Sequence, residues 1–300
     1  MTQVKIHHLR YFVAIAREKS LRAAARSLNL AQSALTRGLR DLETDLGIEL
    51  VERHARGIQL TQAGESYLLR ATSALEELRR GQEEAAQLKN GVRQNLTIGL
   101  TALIQLTLLP RVLPLFRQRF PNVNLTIDGS LLPHLAARID DGSMDFCIVP
   151  RLSGGLERRF QVETLWSSER TVLARHAHPL SKATSIKDLS DGEWLGVGER
   201  KSVEQYLVRL FEKNNLMPPK AISTVDSIPS AIALMLASNC MMVGPKIVPD
   251  VDKSIISIDV REDVGNIDVI LVKKYGLPLT APAEYLVDVI RRVAARSRPL

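Results

Sequence analysis

The sequence predicts a multidomain α+β chain in three parts: a basic head of three helices and a two-stranded wing, one long linker helix, and a two-lobed α/β body. Three observations carry this. The chain has 300 residues, more than an ordinary single domain. It holds 40 Lys and Arg against 33 Asp and Glu, a formal +7, and the excess sits at one end. Residues 1–40 contain eight cations (Lys5, Arg10, Arg17, Lys19, Arg22, Arg26, Arg37 and Arg40) against a single acid, Glu18, so the remaining chain is near neutral. The third observation is a change of pattern. Helical periodicity dominates to about residue 90, and strands alternate with helices after it. The expected domains are 1–61, 62–90 and 91–300, the last divided into lobe I (91–164 and 267–300) and lobe II (165–266).

Composition narrows the class. Hydrophobic residues at 45% and charged residues at 24% are those of a folded globular chain. The start MTQVKIHHLRYF lacks the apolar core of a signal peptide, and no run is long enough for a membrane span, so a cytoplasmic location without membrane contact is expected. Two cysteines, Cys147 and Cys240, make no disulfide framework and read as small buried hydrophobes.

The first helix lies in IHHLRYFVAIARE (6–18), with Ile6, Leu9, Phe12, Val13 and Ala16 at helical spacing. Ser20 is a good N-cap for a second helix, Leu21 to Leu28, whose alanines permit a close helix crossing. Asn29-Leu30 makes a turn. A third helix begins near Ala31, carries the stripe Leu35, Leu39, Leu42, Leu46, and stops at Gly47. Two helices, a tight turn and a third helix with a polar front form a helix-turn-helix. Gln32, Ser33, Thr36 and Arg37 on that front are amide, hydroxyl and guanidinium groups, the types that read base edges. Arg22, Arg26 and Arg40 are placed for the backbone phosphates of double-stranded DNA, and Ser20 is a further candidate DNA contact. The short apolar pieces around HARG then read as a wing with Arg53, His54 and Arg56 at its basic tip.

The run KSLRAAARSLNLAQSALTRGLRDLETDLGIELVERHARGIQLTQAGE, from Lys19, closely resembles the N-terminal domain of LysR-type transcriptional regulators. The likeness rests on Ala24, Ala25 and Leu28, on Gln32, Ala34, Leu35 and Thr36, on Leu42-Glu43 and Leu46-Gly47, on Arg53 and Gly57, and on Leu60-Thr61 with Ala63-Gly64. Two residues depart from the pattern. Ala31 replaces the usual capping Ser, which costs about 1 kcal/mol. Gly38 lies inside the third helix, at a similar cost relative to Ala.

Residues 62–89 form one uninterrupted helix. Leu68, Ala71, Leu75, Leu78, Gln82 and Ala85 recur at alternating spacings of three and four, the seam of a coiled coil. A dimer would offer two recognition helices to a dyad-symmetric site. The resemblance implies the same homodimer, and tetramerisation through the rest of the chain.

In the body, strands are expected at 95–102, 123–128 and 145–150, at FQVETLW and RTVLARH as two separate runs, at 194–198, and at AISTVD, CMMVGP, SIISIDV and IDVILVKK. Helices lie between them and over about 282–297. The chain leaves lobe I near Thr164 and returns near Ile267, which places a cleft at the carboxyl ends of strands. Its candidate ligand residues are Thr101, Ala102, Leu103, Gly129, Ser130 and Arg151 from the first lobe, and Gly198, Lys201, Ser202, Asp226 and Ser227 from the second. Backbone amides, hydroxyls and two cations suit a small organic anion. LAARIDDGSMDFCIV (135–149) is similar to the effector domain of the same family, whose fold resembles periplasmic solute-binding proteins. Within the family, the regulators of aromatic sulfonate and aminobenzoyl-glutamate catabolism are most similar, which implies an aromatic effector.

Catalytic patterns are missing. GVG at 196–198 lacks a dinucleotide fingerprint because Lys201 stands at its third glycine, and there is no G-x-S-x-G or H-E-x-x-H. His7-His8 are adjacent on a helix, and His176 and His178 have no Cys or acid beside them, so no metal and no cofactor are expected. The sequence therefore reads as a ligand-responsive transcription regulator that is not an enzyme, with RNA polymerase as a further partner. The rival readings are a cytoplasmic solute-sequestering protein whose head only dimerises, and an enzyme with an appended DNA-binding domain.

Overall fold

The computed structural model describes residues 4–54, 57–90, 94–151, 159–219 and 222–296. The chain divides into two compact units, Met1–Gln94 with Asp140–Ser143, and Asn95–Ile139 with Met144–Leu300.

The first unit contains α1 (Ile6–Glu18), α2 (Leu21–Ser27), α3 (Gln32–Leu46), β1 (Val51–His54), β2 (Gly57–Leu60) and α4 (Gln62–Asn90). Its turns follow local chemistry. Ser20 Oγ accepts from the Ala23 amide at 3.3 Å and starts α2. Asn29, at φ 54°, makes the turn into α3, and Gly47, at φ 68°, ends it. Ala31 leaves α3 without a side-chain cap. The core holds Phe12, Ile15, Leu35, Leu39 and Leu42, with Leu50 and Ile58 from the wing side.

The buried face of α1 holds Phe12 with Leu9 and Val13 packed beside it, as expected, but extends to residues outside the expected stripe. His8, Phe12 and Ile15 point inward, whereas Ile6 is 49% exposed. The rings of His8 and Tyr11 lie on Gly38, where a methyl group would collide with Tyr11. Gly38 is thus a close-packing position as well as a weak helix former.

β1 and β2 pair as a hairpin from Val51–Leu60 to His54–Gly57, and Ile48 stays outside it. One carboxylate fixes the hairpin to α3: Glu43 Oε1 accepts from the amides of Leu50 (2.8 Å) and Val51 (3.2 Å). The Ile58 amide donates to the Lys19 carbonyl at 3.1 Å, which ties the wing to the α1–α2 turn. Thr61 Oγ1 accepts from the Gly64 amide at 2.9 Å and opens α4.

α4 belongs to the unit of the head. Ala71 is buried in the head core, with Tyr67 and Leu68 packed against it. Two residues of the expected seam, Leu68 and Ala71, therefore face inward. Farther along, Leu75 is half-buried, Leu78 is 41% exposed, and Gln82 and Ala85 are exposed.

The second unit contains β3 (Asn95–Leu100), α5 (Ala102–Arg119), β4 (Asn124–Asp128), α6 (Leu132–Asp140), β5 (Phe146–Pro150), β6 (Phe160–Arg175), β7 (Glu193–Val197), α7 (Arg200–Lys213), β8 (Ile222–Val225), α8 (Ile228–Ala237), β9 (Cys240–Pro245), α9 (Val248–Val251), β10 (Ile255–Ile258), β11 (Asn266–Lys274) and α10 (Ala281–Arg296). The strand order is β4-β3-β5-β11-β6-β9-β7-β8, with β10 also on β6. The two runs expected around residues 160–175 are one strand of 16 residues. Phe160–Glu169 pairs with β11, and Arg170–Arg175 pairs with β9 and β10. The change of lobe thus falls between Glu169 and Arg170, later than the expected Thr164. The β3-side lobe encloses Ile98, Phe116, Phe146 and Leu286. The β7-side lobe encloses Trp194, Leu207, Phe211 and Met241.

Candidate nucleic-acid interface and ligand cavity

The front of α3 faces outward. Gln32, Ser33, Arg37 and Arg40 are exposed or half-buried, as is Thr36. Arg22 and Arg26 on α2 are exposed too. Among the described residues none forms an ion pair with Arg22, Arg26, Arg37 or Arg40. Their donors are therefore uncommitted, as phosphate or base contacts require. The Ser20 hydroxyl oxygen is engaged as the cap of α2. On the wing, His54 Nε2 lies 3.2 Å from Glu52 Oε2. Arg53 lies in β1, with its side chain outside the described residues, and Arg56 falls outside them altogether.

Behind this face is a buried titratable group that sequence reading passed over. His8 is only 3% exposed, its Nδ1 has no hydrogen-bond partner among the described residues, and its Nε2 is 3.8 Å from Asp41. Burial, aided by neighbouring His7, holds its pKa below the ordinary 6.5. The unfolded chain therefore binds this proton more tightly. The stability that neutral His8 contributes is full above pH 6.5 and declines as pH falls below it. Between about pH 7.5 and pH 5.5 the head of the wild type should lose more thermal stability than that of His8→Gln. Parallel melting curves for the two would show that His8 titrates normally.

In the second unit, a cavity of about 210 Å3 lies where the two lobes meet. Nine expected residues line it: Thr101, Ala102, Leu103, Gly129, Arg151, Gly198, Ser202, Asp226 and Ser227. Three helix starts are brought together there. Thr101 is the N-cap of α5, Ser202 is in the first turn of α7, and Ser227 caps α8 through the Ser230 amide at 3.3 Å. Gly198 adopts φ 122°, which a side chain would strain, and lets β7 turn into α7.

Two expected residues do not reach the cavity. The Ser130 amide donates to Asp128 Oδ1 at 2.9 Å, which directs the residue into its own turn. Burial alone would raise the Asp128 carboxyl, but bonds from Ser130 and Arg138 bring it down to about 2. Lys201 is on the exposed side of the first turn of α7, one residue before the inward-facing Ser202. Ser168, Arg170 and Tyr206 line the cavity without having been expected. Ser168 lies in the three polar residues between the two expected strands and Arg170 opens the second of them; both are in the middle of β6. Tyr206 is on α7 four residues after Ser202, a spacing that could have found it.

The remaining chemistry is structural. His178 Nε2 donates to the Asn239 carbonyl at 2.9 Å and Nδ1 accepts from the Leu180 amide at 3.0 Å, so both ring nitrogens are occupied. Cys147 and Cys240 are buried and free, and burial pushes the Cys147 thiol up to about 12. Among the described residues no helix is long and apolar enough to cross a membrane.

Comparison with known proteins finds two matching families. Residues 6–65 match the family described as bacterial regulatory helix-turn-helix protein, lysR family, and residues 89–295 match the LysR substrate binding domain. A probable RuBisCO transcriptional regulator of Thalassiosira pseudonana is 29% identical over 243 residues, covering 78% of this chain and 79% of that one. A full-length OxyR point variant of Pseudomonas aeruginosa superposes with a TM-score of 0.71 at 23% identity, covering 100% of this chain and 98% of its own. Full-length CbnR in complex with its target DNA gives 0.67 at 21% identity, over 96% and 99%. These two likenesses are of fold.

Proposed function

The chain belongs to the LysR family of transcription regulators, with a helix-turn-helix domain and a substrate-binding domain, and from that premise we propose how its own residues act. Gln32, Ser33, Thr36 and Arg37 read base edges in the major groove. Ser20, Arg22, Arg40 and the wing residues Arg53, His54 and Arg56 hold phosphates. The cavity at the lobe junction takes a small-molecule effector, and the ligand shifts the arrangement of paired heads by binding one arrangement more tightly than another. RNA polymerase is the downstream partner. The protein works in the cytoplasm as a regulator, with no catalytic step, cofactor or metal.

One observation carries this reading: the polar front of α3 is open to solvent, cationic and uncommitted. The test is a gel-shift titration against DNA from upstream of the chain's own gene, with random DNA as competitor. Specific binding should exceed random binding at moderate salt by a factor of ~10³ or more. Arg22→Ala should weaken both alike and flatten the salt dependence. Equal affinity for both DNAs in the wild type would end the reading.

A dyad-symmetric target needs two heads. The part of the α4 seam left free of the head core begins at Leu75, and Leu78 is exposed there. This supports a homodimer through the second half of the helix, and a tetramer through further contacts. Leu78→Glu should convert the dimer to monomer in sedimentation velocity at micromolar concentration. An intact dimer in that variant would place the interface elsewhere.

A further inference from the structure

We infer that the cavity accepts a compact organic monoanion, a carboxylate on an apolar body, and that the Arg170 guanidinium selects it. This rests on the reading above that the cavity is the effector site, and names the chemistry of its occupant.

The charges on the walls can be accounted for one by one. Arg151, Arg170 and Asp226 are the charged side chains among the described lining residues. Arg151 is engaged: its Nε is 3.7 Å from Asp268 Oδ2, and its Nη2 donates to Thr164 Oγ1 at 3.0 Å. Asp226 accepts from Ser230 Oγ at 3.3 Å. Arg170 differs from both. Its Nε is buried and has no acceptor among the described residues. The acids around it do not reach that Nε, although Arg170 acts on one of them at longer range: the Gly265 amide, Lys213 and then Arg170 together hold the Asp263 carboxyl below its ordinary range. Asp263 is 3.4 Å from Lys213 Nζ and accepts from the Gly265 amide at 2.7 Å, and Glu169 is 3.3 Å from Lys246 Nζ.

The guanidinium is nevertheless well held. Its Cζ stacks 4.3 Å from the ring centroid of Tyr206. The Tyr206 hydroxyl donates to the Val264 carbonyl at 2.8 Å, which fixes that ring. A second unpartnered polar atom lines the same space: the Oγ1 of Thr101 is buried without a hydrogen bond among the described residues. A buried guanidinium donor without an acceptor is costly, and a carboxylate relieves it with a matching planar face. A neutral ligand would leave it unmet.

The rest of the wall sets the body of the ligand. Leu103, Val149, Leu195, Met242 and Val269 are apolar. A second negative charge would face these walls or the Asp226 carboxylate, with no further free cation among the described lining residues to meet it. Size agrees. An apolar cavity of about 150 Å3 holds benzene, so about 210 Å3 accommodates such a ring and one carboxylate.

The test uses the full chain and thermal-shift and calorimetric titration. The probes are monocarboxylates of four to eight carbons, each beside its primary amide and a dicarboxylate on the same skeleton, with benzoate, benzamide and phthalate as one set. At least one monocarboxylate should bind and raise the melting temperature, and its amide and dicarboxylate should not. Arg170→Met should weaken that carboxylate ~10–100-fold, and Arg170→Lys should recover part of the loss. Circular dichroism establishes that both variants are folded. The proposal is overturned if no monocarboxylate binds, if an amide binds as well as its acid, or if Arg170→Met binds unchanged. Ala102→Phe, which fills the cavity, separates the two failures. A neutral probe that loses binding in Ala102→Phe would keep the effector site and refute the anion. A carboxylate bound equally by Ala102→Phe and wild type would refute the cavity as the site.

Discussion

Gly64→Ala is expected to lower the melting temperature of the head by about 10 °C. Gly64 is in the first turn of α4, and a methyl group there would overlap the carbonyl oxygen of Leu50. That carbonyl is itself immobilised, since it accepts from the Thr61 amide at 3.1 Å. The neighbouring Leu50 amide donates to Glu43. The backbone cannot retreat without breaking one of these bonds, so overpacking of ~1–3 kcal/mol or more outweighs the ~1 kcal/mol that alanine adds to a helix. Gly81→Ala is the control. It lies on the same helix, where an added methyl group meets nothing within 4 Å. It should leave the head unchanged or slightly more stable. A Gly64→Ala head that melts with the wild type would mean that the Leu50 strand entry yields easily.

Gln32→Ala and Arg37→Ala should each cost ~1–3 kcal/mol of specific binding, a roughly 5- to 150-fold loss, and relax preference at particular base positions. Both residues stand at the same end of α3, outside the buried set Leu35, Gly38, Leu39 and Leu42, so neither substitution disturbs the core that holds the helix. The informative quantity is the ratio of specific to random DNA affinity. It should fall in both variants and stay constant in Arg22→Ala, whose proposed contact is with phosphates. If Gln32→Ala weakened specific and random DNA equally, its amide would be a phosphate contact and base readout would have to come from Arg37 and Ser33.

The head was legible in the sequence because its determinants are local. Ser20, Asn29 and Gly47 mark their turns by their own side-chain or backbone chemistry, and the α3 stripe fixes its face. On α1 periodicity finds Leu9, Phe12 and Val13 but not His8, whose burial depends on a partner. His8 and Tyr11 settle over the gap left by Gly38, which no periodicity of α1 reveals. In the body, β6 looks like two strands in sequence because Ser167, Ser168 and Glu169 are polar. They remain in the strand because β6 changes ladder partners there and the polar run is at the lobe junction. The cavity was legible where a strand ends and a helix begins, as at Thr101 and Ser227. It is not legible at Arg170, whose proposed role depends on a ring from α7 and on an Nε left without an acceptor among the described residues. Ser130 and Lys201 show the error of such reading: Ser130 turns back onto Asp128, and Lys201 lies one residue before the wall, on the exposed side of α7.

The double grip of Glu43 on the amides of Leu50 and Val51 bears on how the DNA is read. With recognition helix and wing joined by one side chain, their separation is a fixed gauge. A target whose groove width departs from that gauge has to be deformed to fit, since the protein has no slack at this joint. Part of the discrimination among sites would then come from the flexibility of base steps that no side chain touches.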